Sequence, residues 1–207
     1  VKSGIRVADF GALVVCAVGG VEVGTEKSWS YLNERDLPRM IFINKMDREN
    51  ANFEKVLTSL RENFGHRVIP AQIPIGEAEK FVGVVDIIDG KAEQNGKEVD
   101  IPPDLSEKVQ EYYHLLVEAV AETDDDLLTK YLEGVELSRE DLLTGFKKAI
   151  VKNEIIPVFC GSAANNIGIG KFLDQIVESM PSPMDVGPFK LINQETKEEI
   201  ELTADDG

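Results

Sequence analysis

The sequence predicts an α/β protein in which a parallel sheet is interrupted by an inserted α+β subdomain. Three runs, at residues 12–18, 39–43 and 155–160, are apolar apart from Arg39 and have the composition of strands that are covered on both faces. A helix with a mixed face is expected after the first run, and apolar residues at helical spacing follow the other two. This strand–helix order is typical of a parallel sheet. Between the second and third runs, an Asp-Gly pair at 89–90 and an Asn-Gly pair at 95–96 indicate antiparallel hairpins.

The first strand ends at a Gly-Gly pair, and we expect a helix after it with Thr25 as its N-cap. Pro38 blocks the extension of that helix into the second strand. The helix after the second strand is predicted from the apolar spacing over residues 53–60, and Gly65 stands where a C-cap is expected.

Three helices are predicted inside the insert. The first has one apolar face over residues 109–120, and the third begins at Ser138 in a sequence that resembles a capping box. The second follows the acidic residues 122–126 and is expected to bury Leu127, Leu128, Tyr131 and Leu132. A last helix, after the third apolar run, is expected to carry Phe172, Leu173, Ile176 and Val177 as its apolar residues.

These elements divide the chain into a sheet domain, an insert, a linker and the start of a β-rich domain. The sheet domain covers residues 1–65 and 152–180, the insert 66–151, the proline-containing linker 181–187 and the β-rich start 188–207. Because the chain begins with a valine and its first residues have the pattern of a helix end, we expect an internal piece of a longer protein.

Composition excludes several classes of protein. The formal net charge of −16 disfavours direct binding of nucleic acid by this chain, because phosphate backbones are repelled. No apolar run approaches the roughly 18 residues of a membrane span, and no signal peptide opens the chain. Cys16 and Cys160 each lie in an apolar run, so we expect reduced core thiols in a cytoplasmic protein.

Two polar segments follow neighbouring strands of the predicted sheet, where ligands bind in open parallel sheets. Asn44, Lys45 and Asp47 leave the second strand, and Ser162 and Ala163 leave the third, in the pattern of the guanine-recognition loops of GTPases. The two carboxylate oxygens of Asp47 match the N1–H and 2-amino donors of guanine, whereas adenine offers an acceptor at N1. The backbone N–H of Ala163 would donate to O6.

The remaining residues of these segments have supporting roles in this hypothesis. The methylene stem of Lys45 would cover the face of the base. Asn44 would orient the loop, and Ser162 would brace either Asp47 or its own turn. In the alternative interpretation Asn44 only ends the strand and Asp47 only caps the following helix.

The chain resembles elongation factor G, the GTP-driven ribosomal translocase of bacteria, or an elongation-factor-G-like paralogue. The resemblance rests on segments that occur in the family's order: CAVGGV at 16–21, NKMDR at 44–48, ANF at 51–53, GVVD at 83–86, KYL at 130–132, CGSA at 160–163 and PSP at 181–183. It implies the C-terminal half of a P-loop-type GTPase sheet domain, the family's inserted subdomain and the start of a β-barrel domain. It also implies GTP/GDP binding, Mg²⁺ as a cofactor of the whole protein, and the ribosome as partner, with the insert facing the stalk protein.

The chain departs from the family in what it lacks. No Gly-x₄-Gly-Lys-[Ser/Thr] phosphate loop occurs, and Lys27 and Ser28 come two residues too late after Gly19 to form one. The ligands of the phosphates and of Mg²⁺ are therefore expected outside this chain, and the chain alone is predicted to be inactive. The family also usually has glycine where this chain has Asn50.

Other candidate residues are given structural roles. His66 and His114 do not match the family's hydrolytic histidine. The four carboxylates within residues 122–126 suit a helix N-terminus better than a metal site, because a Ca²⁺ loop needs alternating ligands and a turn glycine.

Two alternative functions stay open. The parent protein could be another ribosome-associated GTPase, such as a ribosomal-protection or release-type factor. The chain could also be a protein-interaction module whose acidic insert is the working surface, without any nucleotide function.

Overall fold

The computed structural model describes residues 1–186, 189–193 and 198–203. Its helices are α1 (Lys2–Ile5), α2 (Val23–Asn33), α3 (Phe53–Phe64), α4 (Ser106–Ala121), α5 (Asp125–Leu132), α6 (Arg139–Val151), α7 (Ile169–Ser179) and α8 (Pro183–Val186). Its strands are β1 (Gly11–Cys16), β2 (Arg39–Asn44), β3 (Val68–Pro70), β4 (Gln72–Ile75), β5 (Gly83–Asp86), β6 (Lys91–Gln94), β7 (Lys97–Val99), β8 (Ile156–Cys160), β9 (Phe189–Ile192) and β10 (Glu199–Leu202). Among the described residues, no helix has the length and apolarity needed to cross a bilayer.

A four-stranded parallel sheet in the order β1-β2-β8-β3 forms the centre of the protein. Every residue of β8 is buried, and so is every residue of β2 except Asn44 at its end. Helices α2 and α3 pack on one face of the sheet and α6 and α7 on the other, while α4 contributes apolar residues to both clusters. The predicted α/β class is therefore confirmed.

Strand β1 is less covered than its apolar sequence predicts. Leu13 and Val15 are buried under α2 and α3, but Val14, on the opposite face, is 59% exposed. The reason is the position of α7, whose Phe172 packs on Phe42 and Phe159 of the two central strands. The edge strand lies beyond that cover, so only one of its faces is part of the core.

The insert contains a four-stranded antiparallel sheet in the order β4-β5-β6-β7. Its last hairpin turns at Asn95 and Gly96, with φ values of 52° and 74°, as expected for an Asn-Gly hairpin. The strand β3 pairs in parallel with β8, so residues 68–70 belong to the central sheet although the predicted division gives them to the insert. The domain limits themselves stay a prediction.

Helices α4, α5 and α6 pack closely at Gly145. A Cβ at this position would lie 2.5 Å from Val120 Cγ1 and 2.7 Å from Leu127 Cδ1, so a larger residue would force these side chains to move. Of the four α5 residues predicted to be buried only Leu127 is, and Leu132 is 75% exposed. The prediction was wrong for Tyr131 and Leu132, which stay exposed, although Lys130 between them and the first turn forms an ion pair with Asp141 of α6.

The N-caps that were predicted for α6 and α2 can be compared with the structure. Ser138 is the N-cap of α6, and its side chain accepts a hydrogen bond from Asp141 N at 3.1 Å, as predicted. Thr25 is not the N-cap of α2: Glu22 occupies that position, and Thr25 Oγ1 accepts from Glu22 N at 3.2 Å. The helix therefore begins earlier than expected, with the acidic and hydroxyl side chains exchanged in the capping box.

In α7, as in α5, some residues that were predicted to be buried are exposed. Leu173 is 54% and Val177 84% exposed, whereas Phe172 and Ile176 pack on the core.

Beyond α8, the strands β9 and β10 pair antiparallel. Residues 187–188, 194–197 and 204–207, which fall in the predicted linker and β-rich start, lie outside the described residues. The β-barrel stays a prediction.

At the amino end of β2, a tryptophan is enclosed by an aromatic ring and two guanidinium groups. Trp29 stacks on Phe64 with 4.0 Å between ring centroids, and the guanidinium carbons of Arg39 and Arg67 lie 4.8 and 5.7 Å from the Trp29 centroid. Burial lowers the pKa of Arg39 to about 10. The aromatic ring stabilises the cations of the buried Arg39 and the half-buried Arg67.

Candidate functional site

The parallel sheet places the two predicted polar segments side by side. Asn44 is the last residue of β2, and Gly161 follows the last residue of β8. Because Ile43 pairs with Cys160 in parallel register, both chains leave the sheet at its carboxyl edge as direct neighbours. We name residues 44–52 the Asp47 loop and residues 161–168 the Ser162 loop.

Hydrogen bonds join the two loops. Asn44 Oδ1 accepts from Lys45 N at 2.8 Å and from Ala163 N at 3.0 Å. The backbone N of Met46 donates to the Gly161 carbonyl at 3.1 Å. The N–H of Ala163, which the sequence predicts as the donor to O6 of guanine, is thus bonded to the Asn44 side chain in this structure.

Asp47 lies half-buried in the loop and is not the cap of the following helix. The N-cap of α3 is Asn52, whose side chain accepts from Lys55 N at 2.7 Å. Lys45 is exposed and has a φ of 68°, a left-handed conformation that turns the chain away from the sheet. The alternative interpretation, in which Asp47 serves only as that helix cap, is therefore wrong.

Ser162 stabilises its own turn. It is fully buried, and its hydroxyl accepts from Asn165 N at 3.3 Å. Its backbone exchanges two hydrogen bonds with Ile167, at 2.9 and 3.1 Å, which close the loop into a compact turn. A Cβ at Gly161 would lie 2.5 Å from the Ile167 carbonyl oxygen, so this close turn requires glycine. Of the two predicted roles for Ser162, the geometry supports bracing of the turn.

Comparison with known proteins agrees with this geometry. Residues 1–182 match the family described as "Elongation factor Tu GTP binding domain". The chain belongs to this family. It is also similar to a solved protein of Thermus thermophilus, with 36% sequence identity and a TM-score of 0.82 over 90% of this chain. The chain spans 29% of the length of that protein.

Membership of this family places the chain among the GTP-binding domains of translational GTPases. The backbone explains the position at which this chain departs from elongation factor G. Asn50 has a φ of 64°, in the region that favours glycine, and asparagine is the side chain that tolerates it best.

The Asp47 loop is also bonded to Ala17, the residue after β1, and lies near the thiol of Cys16. Ala17 N donates to the Asn44 carbonyl at 2.8 Å, and Asn52 N donates to the Ala17 carbonyl at 3.1 Å. Backbone N–H groups of Gly19 and Val18 lower the pKa of the half-buried Cys16 thiol, whereas burial raises the pKa of Cys160. Both cysteines are free, as predicted, but only Cys160 lies fully in the core.

Sequence reasoning missed two residues that contact the Asp47 loop and the first residue of the helix after it. Ala78 N donates to the Met46 carbonyl at 3.0 Å, and Glu77 Oε1 accepts from Phe53 N at 3.1 Å. Both come from the connection between β4 and β5. No local pattern marks them, because a contact between residues so far apart along the chain leaves no periodicity in the sequence.

The other candidates lie away from these loops. Asp124 is the N-cap of α5 and accepts from Asp126 N at 3.1 Å, which matches the helix-terminus interpretation of the acidic run. His114 packs edge-on against Tyr113 within α4. In the part of the chain that the structure describes, no three His, Cys, Asp or Glu side chains come together as metal ligands. The described residues therefore offer no metal cage built from such side chains alone.

Proposed function

We propose that this chain is the guanine-recognition half of an elongation-factor-G-type GTPase that couples GTP hydrolysis to ribosomal translocation. In this proposal Asn44, Lys45, Asp47, Ser162 and Ala163 bind the base. The observation that carries it is the hydrogen bond from Met46 N to the Gly161 carbonyl, at 3.1 Å, which holds the two loops side by side. The loops would contact neighbouring groups on one edge of guanine: Asp47 would accept from N1–H and the 2-amino group, and Ala163 N would donate to O6.

The donors and acceptors of these residues match guanine and not adenine. The half-buried Asp47 carboxylate offers two acceptors to N1–H and the 2-amino group. The exposed Lys45 stem can cover the ring, and the Ala163 N–H can donate to O6 when the base replaces Asn44 as acceptor. Adenine would leave the carboxylate desolvated and unpaired, which costs free energy.

The decisive experiment is Asp47→Asn in the whole protein. Asparagine presents one acceptor and one donor, which suits xanthine with its N1–H and C2 carbonyl. We expect a change of preference from GTP toward xanthosine triphosphate by about 1–3 kcal/mol, measured by competition binding. Glu49→Gln, at an exposed position of the same loop, is the control and should keep the guanine preference. Unchanged selectivity in folded Asp47→Asn would refute the assignment.

Phosphate and Mg²⁺ binding are proposed to belong to residues outside this chain. Most of the charge of GTP lies on its phosphates, and base contacts alone give a small interface that must offset the entropy of association. We therefore expect the isolated chain to bind GTP feebly and to hydrolyse none. Calorimetric titration and a phosphate-release assay test this, and submicromolar binding or turnover would contradict it.

The insert is proposed to dock on the ribosomal stalk protein rather than on RNA, in the cytoplasm. The insert is acidic, and its surface exposes Leu132 and Val135 beside carboxylates, which suits a protein partner better than a phosphate backbone. Binding of the whole protein to ribosomes should weaken when the stalk protein is removed. Equal binding to stalk-depleted ribosomes would contradict this role.

The same fold is compatible with a ribosomal-protection or release-type factor. A translocation assay with the whole protein and programmed ribosomes separates these functions from ours. GTP-dependent movement of peptidyl-tRNA supports the elongation-factor-G type, whereas ribosome-stimulated GTP hydrolysis without movement favours one of the alternatives.

A further inference from the structure

The connection between the two strands β4 and β5 contacts the Asp47 loop directly. Its residues 76–80, which we name the 76–80 segment, lie against Met46, the residue before Asp47. Ala78 N donates to the Met46 carbonyl at 3.0 Å, and Met46 N donates to the Gly161 carbonyl at 3.1 Å. Met46 is fully buried. Its peptide groups are therefore held from two sides, by the insert and by the Ser162 loop.

The same segment also binds the first residue of α3, directly after the Asp47 loop. Glu77 Oε1 accepts from Phe53 N, the first backbone donor of α3, at 3.1 Å. Asn52 satisfies a second donor of that helix through Lys55 N. A carboxylate at a helix N-terminus is stabilised by the helix dipole as well as by the hydrogen bond. The half-buried Glu77 thus fixes where α3 begins, shortly after Asp47.

The backbone of the 76–80 segment is built for this contact. Gly76 has a φ of 76°, and a Cβ there would collide with the Lys80 carbonyl. Ala78 has a φ of 52°, which is unfavourable for a residue with a side chain. Such a conformation persists when surrounding bonds hold it, and Ala78 donates to Met46 and accepts from Phe81 N at 3.0 Å.

We propose that the 76–80 segment sets the guanine specificity of the site, with Glu77 as a positioning residue for Asp47. The proposal rests on the assignment of Asp47 to the base. Anchors before and after Asp47 limit the positions that its carboxylate can take, so two simultaneous hydrogen bonds to N1–H and the 2-amino group become possible. Removal of the Glu77 anchor lets the loop move and weakens the two-bond contact more than a one-bond contact.

The test compares GDP with inosine diphosphate, which keeps N1–H and O6 but lacks the 2-amino group. Dissociation constants are measured in the whole protein by competition with a fluorescent GDP. In Glu77→Ala we expect the preference for GDP over inosine diphosphate to fall about fivefold, which corresponds to about 1 kcal/mol. Glu79→Ala removes the same charge from an exposed position of the segment and should keep the preference. Glu77→Gln, which retains an acceptor oxygen, should keep most of it.

The outcomes separate positioning from a general structural role. Equal weakening of both nucleotides in Glu77→Ala, or no change, would overturn the proposal, because a merely structural residue does not distinguish the 2-amino group. If Glu77→Ala fails to fold, Glu77→Ser carries the same expectation. Asp47→Ala should abolish the preference for GDP: if it does and Glu77→Ala does not lower that preference, only this inference fails. If Asp47→Ala retains the preference, the base assignment fails and this inference falls with it.

Discussion

The carboxyl edge of the parallel sheet and the helical insert are held together by different interactions. At the sheet edge, the loops are joined by backbone groups and one amide side chain, as between Asn44 and Ala163. On the insert, charged side chains form exposed pairs: Arg139 with Asp89, Lys130 with Asp141, and Lys148 with Asp124. Backbone bonds fix positions closely, whereas exposed ion pairs are screened by solvent and hold little. The first region suits recognition of a small ligand, and the second keeps its charge available to a partner.

The largest difference between the two regions should be in the unfolding free energy that is lost when an apolar residue is replaced by alanine. Phe159 is fully buried in β8 and contacts Phe172, whereas Leu132 of the insert is 75% exposed. We expect Phe159→Ala to lower the free energy of unfolding by about 3–5 kcal/mol. Leu132→Ala should change it by less than about 0.5 kcal/mol. Urea denaturation measures both, and similar losses would show that the helical surface is packed in solution.

The next largest change in stability is expected at Asp86, the last residue of β5 in the antiparallel sheet. Asp86 is 3% exposed and accepts from the backbone N of Ile88 and of Asp89, each at 3.0 Å. Burial raises the pKa of Asp86 to about 6. Because this pKa lies above that of the unfolded chain, stability from this group is present below about pH 4 and is lost as pH rises through about 6.

Asp86→Asn removes this titration while keeping an acceptor for both backbone donors. The mutant should therefore gain on the order of 2–3 kcal/mol relative to wild type between about pH 4 and pH 7. Unfolding free energies across this range give the difference between the two curves. If the unfolding free energies of wild type and mutant changed with pH in the same way, Asp86 would titrate normally and its side chain would be open to water.

A smaller loss is expected at the junction of the two loops. Asn44→Ala removes the acceptor of two backbone donors and should cost about 1–2 kcal/mol of unfolding free energy. Asn44→Asp keeps an oxygen in the same place and should lose less, which makes it the matched control. If Asn44→Ala were as stable as Asn44→Asp, the Asn44 side chain would not join the loops, and the bond from Met46 N to the Gly161 carbonyl would hold them together.

The smallest effects should come from the insert. Ser138→Ala removes the N-cap of α6 and should cost about 1 kcal/mol. Lys130→Ala, which breaks an exposed ion pair with Asp141, should cost less than that. Thermal unfolding of the two variants gives the order. A larger loss in Lys130→Ala would show that the ion pairs of the insert hold its helices, against the comparison drawn above.

Sequence patterns predicted the features that arise locally. Continuous apolar runs located β2 and β8, and the polar residues at their ends located Asn44 and Ala163. The strand β3 was missed because three residues, one of them a proline, carry no strand signal and pair only with the distant β8. Glu77 was missed for the same reason. The exposure of Val177 was not predictable either, because an apolar helix face does not tell which of its residues meets the sheet.

The enclosure of Trp29 has a practical consequence. This residue is the chain's single tryptophan, 7% exposed, stacked on Phe64 and flanked by two guanidinium groups. Its fluorescence emission should therefore be blue-shifted, and it should report on whether α2 and α3 still meet at the start of β2. The Asp47 loop, proposed above to bind the base, leaves the sheet at the other end of that strand. A spectral change on adding nucleotide would therefore be an optical sign that the sheet transmits movement along its length.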